Sequence, residues 1–194
     1  MIIYPAQKND ALAIAKIHKS EIKKGFLSTL PISFLEKFYL ALINSNYSFC
    51  IIAKENGQPA GFVSGITDMN KFYNYFLRKY FFYSLLLFLP KIVSFSFFKK
   101  VFETLIYPSK AKDLPKAELL TIAVDQKFQN KGVGSLMFNE FKGAMKKRDI
   151  KSFKVIVGEF LKPAIAFYEK NGFVFAKKVS VHGRDLSRVY IFNL

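Results

Sequence analysis

The chain of 194 residues reads as one α/β domain built on a mixed sheet, and three observations predict this. Strand-like and helix-like stretches alternate in the order βααββ, an interruption, then βαβαββ. Neither an internal repeat nor a low-complexity linker divides residues 1–194 into separate units. With 51% hydrophobic and 23% charged residues, the composition supports a sizeable core rather than a disordered chain.

Ile2 to Tyr4 forms a short strand closed by Pro5. Asp10 is placed to cap a helix over Ala11 to Lys23, with Ile14, Ile17 and Ile22 on successive turns and Gly25 ending it. A second helix starts at Pro31, which fits a first turn, and Leu35, Phe38, Tyr39 and Leu42 make its buried face. The strands Tyr47 to Lys54 and Ala60 to Thr67 form a hairpin around Glu55-Asn56-Gly57-Gln58. Gly61 and Gly65 weaken the second of these and mark a bulge or the close approach of another chain.

Residues 68–113 break the rhythm and read as an insertion within the domain. Phe72, Tyr73, Tyr75, Phe76, Tyr80, Phe81, Phe82 and Tyr83 crowd it, mixed with Arg78, Lys79, Lys91, Lys99 and Lys100. The pattern predicts two helices joined around Pro90. Crossing a bilayer takes about 20 apolar residues, and Pro90-Lys91 ends the run well short of that. Residues 72–107 must instead bury themselves against the domain, a second subunit (a homodimer) or a lipid surface.

The stretch from Ala117 to Met145 organises the C-terminal half of the chain. An apolar strand, Leu119 to Val124, runs into the polar loop Asp125 to Lys131. Gly132 and Gly134 then open a helix with Met137, Phe141 and Met145 on its apolar side. Glycines let a backbone come close to a ligand, and the free N–H groups and dipole of a helix start attract anions. The arrangement predicts a phosphate cradle. Lys151 to Gly158 alternates as a strand, Pro163 starts a helix over Ala164 to Lys170, and Asn171-Gly172 ends it. Phe173 to Val179 and Arg188 to Phe192 are the last strands, joined through His182-Gly183-Arg184-Asp185.

Thirty Lys and Arg against fourteen Asp and Glu give a net charge of +16, which suits an anionic ligand and is also what an AT-rich coding sequence produces. The lone Cys50 lies in an apolar run, excludes an internal disulfide and reads as a core residue, so a cytoplasmic protein, or one peripheral to a membrane, is expected. Lys8, Asn9 and Asp10 interrupt the N-terminal apolar residues too early for a signal peptide. His18 and His182 lie far apart, and no Cys/His cluster has metal-ligand spacing, so no metal is expected.

Gly132-x-Gly134 is not a dinucleotide fingerprint, because Met137 holds the third glycine's place, and the Walker loop is absent too. Gln129, Gly132 and Gly134 do fit the pattern Q/R-x-x-G-x-G/A. Ala164, Phe167, Tyr168, Glu169, Lys170, Gly172 and Phe173 fit A-x-x-F-Y-E-K-x-G-F. On these two motifs and the element order, the chain resembles the GNAT superfamily of N-acetyltransferases over nearly its whole length except residues 68–113. The resemblance implies a mostly antiparallel central sheet flanked by helices, with the aromatic insertion before the central strand.

It also implies acetyl-CoA as cosubstrate and an amine as acceptor, with direct transfer between them in a ternary complex. Ile122, Ala123 and Val124 of the central strand would pair with the pantetheine arm, and an N–H near Ile122 would polarise the acyl carbonyl. Gln129 belongs to the loop, and backbone groups of Asn130, Lys131, Gly132, Val133, Gly134 and Ser135 would hold the pyrophosphate. A protonated amine must lose a proton before it attacks, and the departing thiolate must gain one. Glu118 is the candidate base and Tyr168 the candidate acid. Leu161 stands where the family often has an asparagine. Residues 11–36 and 68–113 would set the acceptor, whether an amino sugar, a polyamine or a protein amine. A different class of function, a basic aromatic module for nucleic acid or an acidic membrane, fits the charge but has no nucleic-acid motif to support it.

Overall fold

A computed structural model of the chain describes residues 1–25, 27–88, 113–180 and 186–194, with side chains throughout except at 81–88. Its strands are β1 (Ile2–Pro5), β2 (Ser48–Glu55), β3 (Gln58–Ile66), β4 (Glu118–Val124), β5 (Ser152–Gly158), β6 (Val174–Ser180) and β7 (Leu186–Asn193). They form a seven-stranded sheet in the order β1-β2-β3-β4-β5-β7-β6. Every neighbouring pair is antiparallel except β4 and β5. The mixed, mostly antiparallel sheet expected from the sequence is what the chain forms.

Helices cover both faces. The helices α1 (Ala11–Glu21), α2 (Ile32–Asn44) and α3 (Met69–Phe88) share one core with Cys50, Ile52, Phe62 and Ile66. On the opposite face, α4 (Val133–Lys146) and α5 (Lys162–Lys170) share a core with Val63, Leu119, Phe153 and Val155. Helices on both sides explain why β2 is buried from Ser48 to Ala53 without alternation. Fully burying a side chain such as Phe138 or Phe141 contributes about 1.5–3 kcal/mol, and both are 0% exposed.

The hairpin turn is tight, with Asn56 at φ 50° and Gly57 at φ 76°. Gly61 and Gly65 mark the close approach of α4. A Cβ on Gly61 would lie 2.9 Å from Met137 Cε, and one on Gly65 would lie 2.6 Å from Phe141 Cε2. Two turns of apolar side chains thus rest where β3 offers no side chain of its own.

Some expectations are revised. Asp10 does not cap α1 with its side chain. Its carboxylate accepts instead from the Gln7 N–H at 2.9 Å, Tyr4 Oη at 3.2 Å and Lys54 Nζ at 2.8 Å. The helix itself stops at Glu21, short of Lys23, and Ile22 at its C-terminal cap is already extended. The first helix of the insertion begins right after β3, capped where Asp68 Oδ1 accepts from the Lys71 N–H at 3.1 Å. Its Phe72, Phe76 and Tyr80 are buried, and edge-to-face contacts join Phe72 and Phe76 to Phe38 of α2. The domain is therefore one of the surfaces that buries the aromatic stretch. The second helix expected beyond Pro90, and His182, lie outside the described residues.

Candidate active site

The site begins where two strands part. Parallel β4 and β5 are in register only at Glu118 and Lys154, and the Lys154 N–H donates to the Ala117 carbonyl at 3.0 Å. Beyond that point no residue of β5 is in register with β4, while β5 pairs with β7 along its other edge from Ser152 to Gly158, so the β5-facing edge of β4 has no ladder partner from β5. A backbone edge without a ladder in the middle of a sheet can bond an extended ligand. The opposite edge of β4 pairs with β3 and carries a bulge, because Ser64 opposes Thr121 while Gly65 opposes Leu119.

The bulge leaves Leu120 as the extra residue of β4, packed in the same core as Ala123. Thr121 is hydrogen-bonded to Tyr39, whose hydroxyl lies 2.6 Å from His18 Nδ1. His18 is 2% exposed, and burial pushes its imidazole down to about 4. It stays neutral and packs in the core beside Tyr39.

The loop after β4 is built to turn sharply. Asp125 Oδ1 accepts from the Lys127 N–H at 3.0 Å, closing a short 3-10 turn over Gln126–Phe128. Gln129 Nε2 donates to the Val124 carbonyl at 2.9 Å and to Glu21 Oε2 at 3.1 Å, tying the loop to the strand and to the end of α1. Asn130 (φ 60°) and Gly132 (φ 78°) are left-handed, and α4 starts at once with no side-chain cap. The first-turn N–H groups of Val133, Gly134 and Ser135 therefore face outward from a helix start. A Cβ on Gly132 would meet nothing within 4 Å, leaving the mouth of the cradle clear. Lys131 Nζ sits 5.8 Å from the Phe128 ring centroid, at the loop's rim. These features suit the anionic end of a nucleotide thioester.

Gly134 has another duty. A Cβ there would come 3.4 Å from the Phe167 ring and 3.8 Å from Val124. The two motifs, far apart in sequence, touch at this point. In the second motif, Glu169 Oε1 accepts from Tyr190 Oη at 2.6 Å, so that glutamate fastens α5 to β7. Leu161 is the N-cap of α5 and makes no side-chain cap.

Glu118 and Tyr168 are both buried and within electrostatic reach of one another. Glu118 is 7% exposed and Tyr168 is 6% exposed. Burial pushes the Glu118 carboxyl above the usual carboxylate range, and Lys154, with Nζ 3.4 Å from Oε2, opposes the rise. Burial and then the Glu118 charge push the Tyr168 phenol well up, so it keeps its proton at neutral pH. Tyr73 of α3 is raised by the same two causes. Cys50 is buried, and that burial pushes its thiol up, which leaves it inert as a nucleophile.

Sequence reasoning missed Lys154 and Tyr73. In Phe153-Lys154-Val155 the lysine falls on the polar side of an alternating strand and reads as solvated. It is nonetheless buried to 4% exposure, with Nζ bonded to the Pro115 carbonyl and paired with Glu118. Among the described residues no group of three or more His, Cys, Asp or Glu could hold a metal ion, and no helix is long and apolar enough to cross a membrane.

Comparison with known proteins places this geometry. The chain resembles the ribosomal-protein-S18-alanine N-acetyltransferase of Escherichia coli in fold, at 16% identity, a TM-score of 0.61, and coverage of 99% of this chain and 92% of that one. An N-acetyltransferase from Staphylococcus aureus Mu50 superposes with a TM-score of 0.65 at 15% identity, over 99% of this chain and 100% of that one. The ribosomal-protein-alanine N-acetyltransferase of Brucella melitensis gives 0.64 at 15% identity, over 100% of both. No curated protein matches the chain in sequence. The family model for the acetyltransferase (GNAT) family matches residues 17–173, a span that runs from α1 through both motifs, and the chain belongs to that family of acetyltransferases.

Proposed function

We propose that the protein transfers the acetyl group of acetyl-CoA directly to a primary amine, with Glu118 as base and Tyr168 as acid. The observation that carries this reading is the parting of β4 from β5 beyond Glu118, with the buried Tyr168 within electrostatic reach of that carboxylate. Acetyl-CoA supplies an acetyl thioester when bound. The N–H groups from Asn130 to Ser135 hold its pyrophosphate, and Lys131 adds charge at the rim. The open edge of Ile122, Ala123 and Val124 bonds the pantetheine arm, and the Ile122 N–H stabilises the oxyanion.

Glu118 takes a proton from the substrate ammonium, breaking an N–H bond and forming an O–H bond. The amine nitrogen then bonds to the acyl carbon, the C–S bond breaks as Tyr168 protonates the leaving sulfur, and the second proton of the attacking nitrogen returns to the Tyr168 phenolate, leaving a neutral amide. The acceptor is held between α1, the link to α2 and α3, with Tyr73 of α3 within electrostatic reach of Glu118. The helix α3, at the start of the 68–113 insertion in a single domain, shapes that side of the site.

The test is an acetylation screen over amino sugars, polyamines and peptide amines that follows thiol release. With the best acceptor, Tyr168→Phe is expected to lower turnover by about 100-fold while leaving acetyl-CoA affinity unchanged. Glu118→Gln is expected to lose most rate at low pH, where more of the amine is protonated. Unchanged turnover in Tyr168→Phe removes the acid, and a loss independent of pH in Glu118→Gln removes the base.

A further inference from the structure

A lysine buried to 4% exposure in a central strand demands a physical reason. Burying a charge is costly, and an apolar residue of similar size is often at least as stable in such a place. Lys154 Nζ donates to the Pro115 carbonyl at 2.5 Å and pairs with Glu118 Oε2 at 3.4 Å. Its own backbone N–H donates to the Ala117 carbonyl at 3.0 Å. It is therefore fixed at the one registered position shared by β4 and β5.

Three elements supply groups that act on Glu118: Lys154 of β5 contacts its carboxylate, Tyr73 of α3 and Tyr168 of α5 lie within its electrostatic reach, and β3 pairs the uncharged Ile66 with it. Among these, Lys154 is the cation. Burial and a neutral phenol environment favour a protonated carboxyl, which cannot accept another proton. The ammonium works in the other direction.

We propose that Lys154 is a positioning residue for acetyl transfer, holding the Glu118 carboxylate ionised and fixed at the closed end of the cleft between β4 and β5. This rests on Glu118 being the base. During turnover the proton passes from substrate nitrogen to Glu118 oxygen and then to solvent.

The test uses the full chain without ligand, labelled with 13Cδ-glutamate and followed by NMR titration. The Glu118 signal is identified by its loss in Glu118→Gln. Lys154→Met is expected to raise the Glu118 midpoint by about one pH unit or more, and Lys154→Arg to keep it within about half a unit. An unchanged midpoint in Lys154→Met overturns the proposal. If Lys154→Met does not fold, Glu118→Gln/Lys154→Met, which removes both charges, is expected to fold. Failure of that double variant as well makes Lys154 a strut and also overturns it. Turnover of Glu118→Gln separates the two readings: lost turnover with an unmoved midpoint leaves the base standing and removes Lys154's role. Kept turnover removes the base itself, and the role of Lys154 in transfer with it.

Discussion

Asp10 and Glu118 are both buried carboxylates paired with a lysine, yet their surroundings push them in opposite directions. For Asp10, burial raises the pKa, but Lys54, the Gln7 N–H and Tyr4 together outweigh it and hold the carboxyl below its ordinary value. Glu118 has only Lys154 to offset burial and ends above its ordinary value. Saturated hydrogen bonding makes Asp10 a strut, whereas Glu118 retains the capacity to take a proton. This fixes the sign of the pH effect at Asp10. Its pKa is depressed on folding, so its stabilisation is complete above the unfolded value of about 3.9 and fades as pH falls through the folded value. Asp10→Asn is expected to cost about 1–3 kcal/mol at pH 7. Thermal melts of the two proteins should converge as pH drops below about 4. Asp10 misleads in the sequence because an acid before an apolar helix looks like a cap. Its partners, Tyr4 and Lys54, are not neighbours in any local pattern.

Among the elements, the β4–loop–α4 unit is the most legible in the sequence. Its strand run, its left-handed Gly132 and its apolar helix face are each readable from residue type, and they agree with one another. Gly134 is less so, since its reason is the Phe167 ring from another helix. At Gly132 the expected experiment is Gly132→Ala. A side chain at φ 78° costs about 1–2 kcal/mol, but nothing lies within 4 Å to clash, so the protein should fold. Acetyl-CoA affinity measured by calorimetry is expected to fall about tenfold or more as the added methyl enters the cradle. Unchanged affinity would remove the cradle assignment. The start of α3 is hard to read because Asp68, at the end of a strand, carries no sign of which element it serves. The burial of Phe72, Phe76 and Tyr80 against α2 also depends on contacts that spacing alone does not name.

At the scale of the molecule, the order of elements and the mixed character of the sheet are readable because each strand is bounded by its own turn chemistry. Which strands lie side by side is not. The late crossing that puts β7 between β5 and β6 is set by packing of Phe192 and Tyr190 against the core beneath α5. One consequence of the single registered position between β4 and β5 concerns mechanics. Strands β1 to β4 and strands β5 to β7 behave as two plates joined at one end, with the Glu118–Lys154 contact as the pivot. An extended ligand lying along β4 would act as the missing rung and lock the plates. Acetyl-CoA at a hundredfold excess over its Kd is then expected to stabilise the fold by about 2.7 kcal/mol. Hydrogen exchange should slow most at the amides of β4 and β5, far more than in the β1–β2 pair. Equal slowing everywhere would mean that the plates were already rigid, and that the cosubstrate only fills a gap it does nothing to close.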